Sequence, residues 1–307
     1  MSAVIEEFPV RRATKDWPDL QIVDHLRTSR ELTHNIRHKG LVQELPSREG
    51  LQFILDALCC ALFPTHFGQA VFTEGSIDLF VSNKLQAALP RLHEQVRRSL
   101  QFDLTDGTAD NTLAERARHI VNSFAHKLPE LRNTLVSDFR AAFKGDPAAE
   151  SIAEVVLCYR GTTAIIYHRF AHALYVLGAR LVARLIADIA QAATGIDIHP
   201  GASIGESFFI DHGTGVVVGQ TALVGNNVRL YQAVTLGAKR FEEAPDGALV
   251  KGAERHPIIE DNVVIYAGAT ILGRVTIGHD SVIGGNVWLT HSVPPHSNIT
   301  QAQSPRS

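Results

Sequence analysis

Two hydrophobic periods divide the chain near residue 195. Before it, apolar positions recur at helical spacing: Ile77, Phe80, Val81, Leu85, Ala88, Leu89 and Leu92 form one stripe. Leu113, Ala117, Ile120, Val121, Phe124 and Leu128 form another. Pro90 and Pro129 fall inside these stripes and are expected to kink or restart their helices. Asp146-Pro147 reads as a helix start, with Asp as N-cap and Pro at the first helical position. A last helix carries Leu181, Leu185, Ile186 and Ile189 on one face, and Gly195 is placed to end it in a left-handed cap. The first forty residues have weak periodicity and are expected to be partly mobile.

After Gly195 the repeat is six. Ile198, Ile204, Ile210, Val216, Ala222, Val228 and Val234 make one series, and Ile259, Ile265, Ile271, Ile277, Ile283 and Leu289 a second. Six matches neither the helix repeat nor strand alternation. It fits a parallel β-helix in which each hexad supplies one short strand and one corner, with Gly, Asn and Asp permitting the turns. From Val234 to Ile259 is a step of 25 where a hexad needs six, so about nineteen residues leave the coil as a charged, glycine-containing loop. The expected organisation is α+β: a helical N-terminal and oligomerisation region over 1–195, a hexad coil over 196–296 with its loop at 238–256, and a polar tail over 297–307.

Composition narrows the classes of partner. A net charge of −3 with scattered Lys and Arg argues against a nucleic-acid binder. Cys59, Cys60 and Cys158 are odd in number and suggest no disulfide framework, so buried reduced thiols are expected. The N-terminus lacks the pattern of a signal peptide, and the apolar run around Ile54–Phe63 is too short for a bilayer and carries Asp56. A cytoplasmic protein without membrane contact is expected.

Candidate chemistry gathers at the coil corners. Asp197 and His212 are fifteen residues apart, slightly less than a coil of three hexads, so they can lie near each other on adjacent layers. A carboxylate beside an imidazole fixes its tautomer and supports general-base catalysis. The runs Asp197-Ile-His-Pro-Gly-Ala-Ser-Ile-Gly205, Asp211-His-Gly-Thr-Gly215, Val234-Thr-Leu-Gly237 and Arg255-His-Pro257, with Gly161, Ala164, Arg169 and His172 upstream, resemble the serine O-acetyltransferase family of hexapeptide-repeat acyltransferases.

The resemblance implies a left-handed coil and acetyl transfer from acetyl-CoA to the L-serine hydroxyl, the first step from serine toward cysteine. It makes His212 the base, Asp197 its partner and His256 a further catalytic group. Arg255 and His256 would hold the substrate carboxylate, while Asp146 and Asp211 would face its ammonium. Gly237, Ala238, Ala267 and Gly285 would line the acetyl-CoA groove. No metal is expected, and no cysteine sits at a matched position, so direct attack is expected without an acetyl-enzyme. The family packs as trimers with sites between subunits, so a homotrimer or a dimer of trimers is expected. Many relatives end in an Ile that docks into the sulfhydrylase, whereas this chain ends in Ser307, so that complex is not expected. The rival readings are a hexapeptide acetyltransferase for a sugar or homoserine, a gamma-type carbonic anhydrase with zinc on His199, His212 and His256, and a non-catalytic scaffold.

Overall fold

The computed structural model describes residues 19–32, 44–68, 72–102, 110–240, 245, 247–250 and 252–301. Two compact units divide at Glu44. In the first, α1 (Asp19–Leu32) is the described element. The expectation of mobility in the first forty residues otherwise lies outside the described residues.

The second unit begins with α2 (Arg48–Leu62), α3 (Pro64–Phe67), α4 (Glu74–Phe102) and α5 (Asp110–Gly145). It continues through α6 (Ile152–Cys158), α7 (Arg160–Val176) and α8 (Arg180–Thr194). The two predicted stripes lie on α4 and α5; Ala88 and Leu92 are buried on the first, and all six named residues of the second. Both helices run through their prolines without a restart. Pro90 and Pro129 face solvent, where a missing amide donor is easily tolerated. Asp146 is not an N-cap. The helix after it starts at Ile152, capped by Ser151, whose hydroxyl accepts from the Glu154 amide. Gly195 closes α8 at φ +72°, as the sequence predicts. Cys59 is buried, but Cys158 is exposed, contrary to expectation. Among the described residues no helix is long and apolar enough to cross a membrane.

From Asp197 the chain winds through fourteen described short strands: β1 (Asp197–Ile198), β2 (Ser203–Ile204), β3 (Phe209–Ile210), β4 (Val217–Val218), β5 (Leu223–Val224), β6 (Arg229–Leu230) and β7 (Thr235–Gly237) precede the loop. After it come β8 (Ile258–Ile259), β9 (Val264–Ile265), β10 (Thr270–Leu272), β11 (Thr276–Ile277), β12 (Val282–Ile283), β13 (Trp288–Leu289) and β14 (Asn298–Ile299). They stack as three parallel sheets, β1-β4-β7-β10-β13, β2-β5-β8-β11 and β3-β6-β9-β12-β14, the left-handed prism of a hexad coil. The last strand lies past residue 296, so the coil takes in the start of the predicted polar tail.

The inward positions revise the predicted series. Ile198, Ile204 and Ile210 end their strands, whereas Val216, Ala222, Val228 and Val234 each sit two residues before the strand residues Val218, Val224, Leu230 and Leu236. Both sets are buried, so both satisfy a six-residue count. The hidden shift is real: Ile210 to Val218 is a step of eight, and the corner between them holds two surplus residues. Leu236 to Ile259 is correspondingly a step of 23, so seventeen residues leave the coil rather than nineteen.

A buried ion pair welds helices to coil. Arg169 on α7 meets Asp138 on α5 through two hydrogen bonds of 3.1 and 3.2 Å. The same guanidinium donates to the carbonyls of Ile204 and Gly205, and the Phe208 amide donates to Asp138. Gly161 sits where α7 crosses β3, so close that a Cβ would overlap the Ile210 carbonyl oxygen.

Candidate active site

The surplus corner carries Asp211 and His212. Elsewhere on this edge the left-handed position is filled by Gly215, Ala233, Gly268 and Asn286, each three residues before an inward strand residue. His212 lies outside that column and takes φ +58° on its own account. For a non-glycine residue this conformation costs on the order of 1–2 kcal/mol, although His, Asn and Asp adopt it more readily than most. The extra length swings the imidazole out of the rung, leaving it 71% exposed beside the largely covered Asp211, with Nδ1 and Oδ1 3.8 Å apart.

Two carboxylates reach this edge. Asp146, just after α5, accepts the Tyr159 hydroxyl at 2.5 Å and the Ala148 amide at 2.8 Å. The Tyr159 bond, then the amide, hold its carboxyl below the ordinary range against a small opposing effect of burial; the charges of His212 and Arg229 act in the same direction. Reciprocally, the Asp146 bond pushes the Tyr159 phenol up, helped by burial and by the charges of Asp146, Glu154 and Asp211. Asp146, Tyr159, Asp211 and His212 therefore share one electrostatic neighbourhood. Asp197 heads β1 beside the same corner, its amide donating to the Val216 carbonyl. Among the described residues no ion pair within 4.0 Å joins it to His212; the carboxylate nearest the imidazole on that measure is Asp211.

Arg255 and His256 lie at a different edge, where the first sheet turns into the second. His256 is almost fully buried against Gly219. Its Nδ1 receives the Thr221 amide at 3.1 Å and the Thr221 hydroxyl at 2.9 Å, which assigns the ring proton to Nε2. Thr221 Oγ1 in turn accepts the backbone amides of Arg255 and His256, so one side chain pins the loop end to the coil. Arg255 donates to Gln220 Oε1 at 3.0 Å, and the Gln220 amide donates to the Tyr175 hydroxyl at 3.0 Å. Burial lowers His256 to about 4, assisted by Arg255 and Arg274. Burial likewise lowers neighbouring His199 to about 4, with Arg184, His256 and Arg255 contributing. Both rings are neutral near pH 7.

The four small residues divide the same way. Gly237 and Ala238 end β7 at the second edge. Ala267 and Gly285 stack on adjacent rungs of the first; a Cβ at Gly285 would stand 3.3 Å from the Ala267 carbonyl oxygen. Sequence reasoning missed Tyr159, Gly219, Gln220 and Thr221. Thr221 had a signal: it and His256 each precede an inward strand residue, Val224 and Ile259, by three. His199, His212 and His256 do not converge, so the zinc set of a carbonic anhydrase is not assembled within one chain.

A parallel three-sided coil with a loop thrown out from one edge is the architecture of the hexapeptide-repeat transferases, and residues 256–291 match the bacterial transferase hexapeptide model. Residues 78–166 match the model of the serine acetyltransferase N-terminal region. The chain is 55% identical over 263 residues to the plasmid serine acetyltransferase of Synechococcus elongatus, covering 84% of this chain and 82% of that protein. It is 49% identical to the serine acetyltransferase of Mycobacterium tuberculosis over 53% of this chain and 67% of that one. Among solved structures, serine acetyltransferase isoform 3 of Entamoeba histolytica in complex with cysteine superposes with a TM-score of 0.70 at 31% identity, covering 94% of both chains. The chain belongs to the serine acetyltransferase family.

Proposed function

We propose that this chain transfers the acetyl group of acetyl-CoA to the hydroxyl of L-serine, giving O-acetylserine and free CoA, with His212 as general base. Serine would sit with its ammonium toward Asp146 and Asp211 and its carboxylate toward Arg255 and the Nε2–H of His256, a pairing of charges that suits an amino acid at both ends. His212 takes the hydroxyl proton as oxygen attacks the thioester carbonyl. The tetrahedral oxyanion collapses, the C–S bond breaks, and the departing thiolate recovers the proton from the imidazolium. A positioned base of this kind contributes ~10²–10⁴-fold. Asp211, at 3.8 Å, is the carboxylate best placed to stabilise the imidazolium, with Asp197 behind it at the same corner.

One observation carries the reading: two carboxylates and an exposed imidazole meet at the widened corner, while the complementary Arg255-His256 pair occupies another edge of the prism. A single chain offers half a site at each edge. Each half is completed when the His212 edge of one protomer meets the His256 edge of the next, which the outward apolar residues Val217 and Trp288 on the intervening face favour. The two pairs of small residues, divided between the same edges, would line the acetyl-CoA groove at that junction. Thiol release from acetyl-CoA, measured against a panel of hydroxyl acceptors, tests the assignment. Serine should exceed homoserine and sugars clearly, and turnover with a sugar alone would refute it.

A further inference from the structure

The third edge of the prism, between the second and third sheets, takes no part in the chemistry above. Its corners follow one rule. Ser207, Asn227, Asn262, Asp280 and His296 each stand three residues before an inward strand residue, and each has φ between 56° and 60°. Asn, Asp and His accept this conformation more readily than most side chains, so His296 suits the column as its Asn and Asp members do, and Ser207 is the departure. The side chains bond up the edge: Asn227 donates to Asn262 at 3.2 Å, and Asn262 donates to Asp280 Oδ1 at 3.0 Å. The ladder ends on Asp280, whose other oxygen lies 2.7 Å from His279 Nδ1 and 3.9 Å from His296 Nδ1.

We propose that His279, Asp280 and His296 bind a divalent transition-metal ion of the zinc class. The three donor atoms all lie within 4.8 Å of one another. Tetrahedral zinc with bonds near 2.0–2.1 Å holds neighbouring ligand atoms ~3.3 Å apart, a value bracketed by the 2.7 and 3.9 Å separations. Two imidazoles and one carboxylate suit a borderline cation and leave a coordination position for water. Support from behind is present too. Asn262 orients the carboxylate through the oxygen that does not face the histidines, as outer-shell groups do at metal sites. Backbone bonds hold the donors in register: the His279 amide donates to Glu260 Oε2 at 2.8 Å, and the His296 amide to the His279 carbonyl at 2.9 Å. An ion here joins the last corner to the rung beneath it and fastens the end of the coil.

Calorimetric titration of ZnCl2 into the untagged, chelator-treated full chain tests this. The expected result is one high-affinity ion per chain with a Kd in the micromolar range or below, accompanied by a rise in Tm. His279→Ala and His296→Asn should each weaken binding at least tenfold and abolish the Tm rise, while acetyl transfer stays unchanged. Asn is the side chain that other corners of this edge already use, so His296→Asn keeps the corner foldable, and circular dichroism checks it. Absence of stoichiometric binding, or equal affinity in the double variant, would overturn the proposal.

Discussion

The imidazole of His256 lies directly on Gly219, with no room between them for a methyl group. Gly219→Ala should therefore displace the ring while the rungs stay folded, since overpacking a well-packed site typically costs about 1–3 kcal/mol. Steady-state kinetics should show kcat/KM reduced at least tenfold in a protein whose far-UV circular dichroism is unchanged. Wild-type kinetics in this variant would detach His256 from the site.

If Asp146 receives the serine ammonium as proposed, Tyr159 positions it through their hydrogen bond. Tyr159→Phe removes the 2.5 Å bond and leaves the carboxylate free to turn. A hydrogen bond to a charged group is worth about 1.5–3 kcal/mol, and part of that should appear as a KM for serine raised roughly five- to tenfold, with a smaller change in kcat. The KM for acetyl-CoA should not move.

The division of the site between two edges predicts complementation. His212→Ala and His256→Ala homomers should each lose at least a hundredfold in kcat. Unfolded and refolded together in equal amounts, they should recover about a quarter of wild-type activity, because random cyclic mixing restores one junction in four. Persistent inactivity of a folded, assembled mixture would mean that the two residues do not meet across a junction between protomers.

Stability should depend on pH through His199 and His256. Folding lowers both from 6.5 to about 4, so between those values the unfolded chain binds more protons than the native one. The stabilisation is complete above about pH 6.5 and is lost as the pH falls through 4. Urea midpoints at pH 7, 6 and 5 should fall accordingly, and the decline should be shallower in the His199→Asn, His256→Asn double variant.

Arg169→Ala should be the most destabilising of these changes. It leaves Asp138 buried without its counter-charge and frees two coil carbonyls, and breaking such a pair costs about 3–5 kcal/mol. Chemical denaturation would register the loss; a change under 1 kcal/mol would show that the weld lies elsewhere.

Much of this molecule was legible as pattern. The change of period at Gly195 is real because a helix and a hexad coil bury different positions, and the two α5 and α8 stripes fall where the spacing puts them. What misled was degeneracy. A hexad presents two inward positions, so the run from Ile210 to Val216 keeps the count of six while stepping from one position to the other, and the surplus residues disappear from view. The Asp146 cap failed for a related reason: Asp-Pro is compatible with a helix start and equally with a turn, and a tertiary partner, Tyr159, decided between them. The loop-end pair was identifiable from its resemblance alone. Its supports, Thr221 and Gln220, become visible only once the rungs are aligned by strand rather than by count.

The widened corner at Asp211–Gly215 also says something about how this scaffold can change. Because each strand pairs with the rung above and below, two additional residues are absorbed locally and the rest of the ladder keeps its alignment. Reactivity and architecture are thus written in separable stretches of chain. Shortening that one bend to the ordinary hexad should yield an intact, inert prism, and lengthening another should offer a place to install chemistry the coil does not yet have.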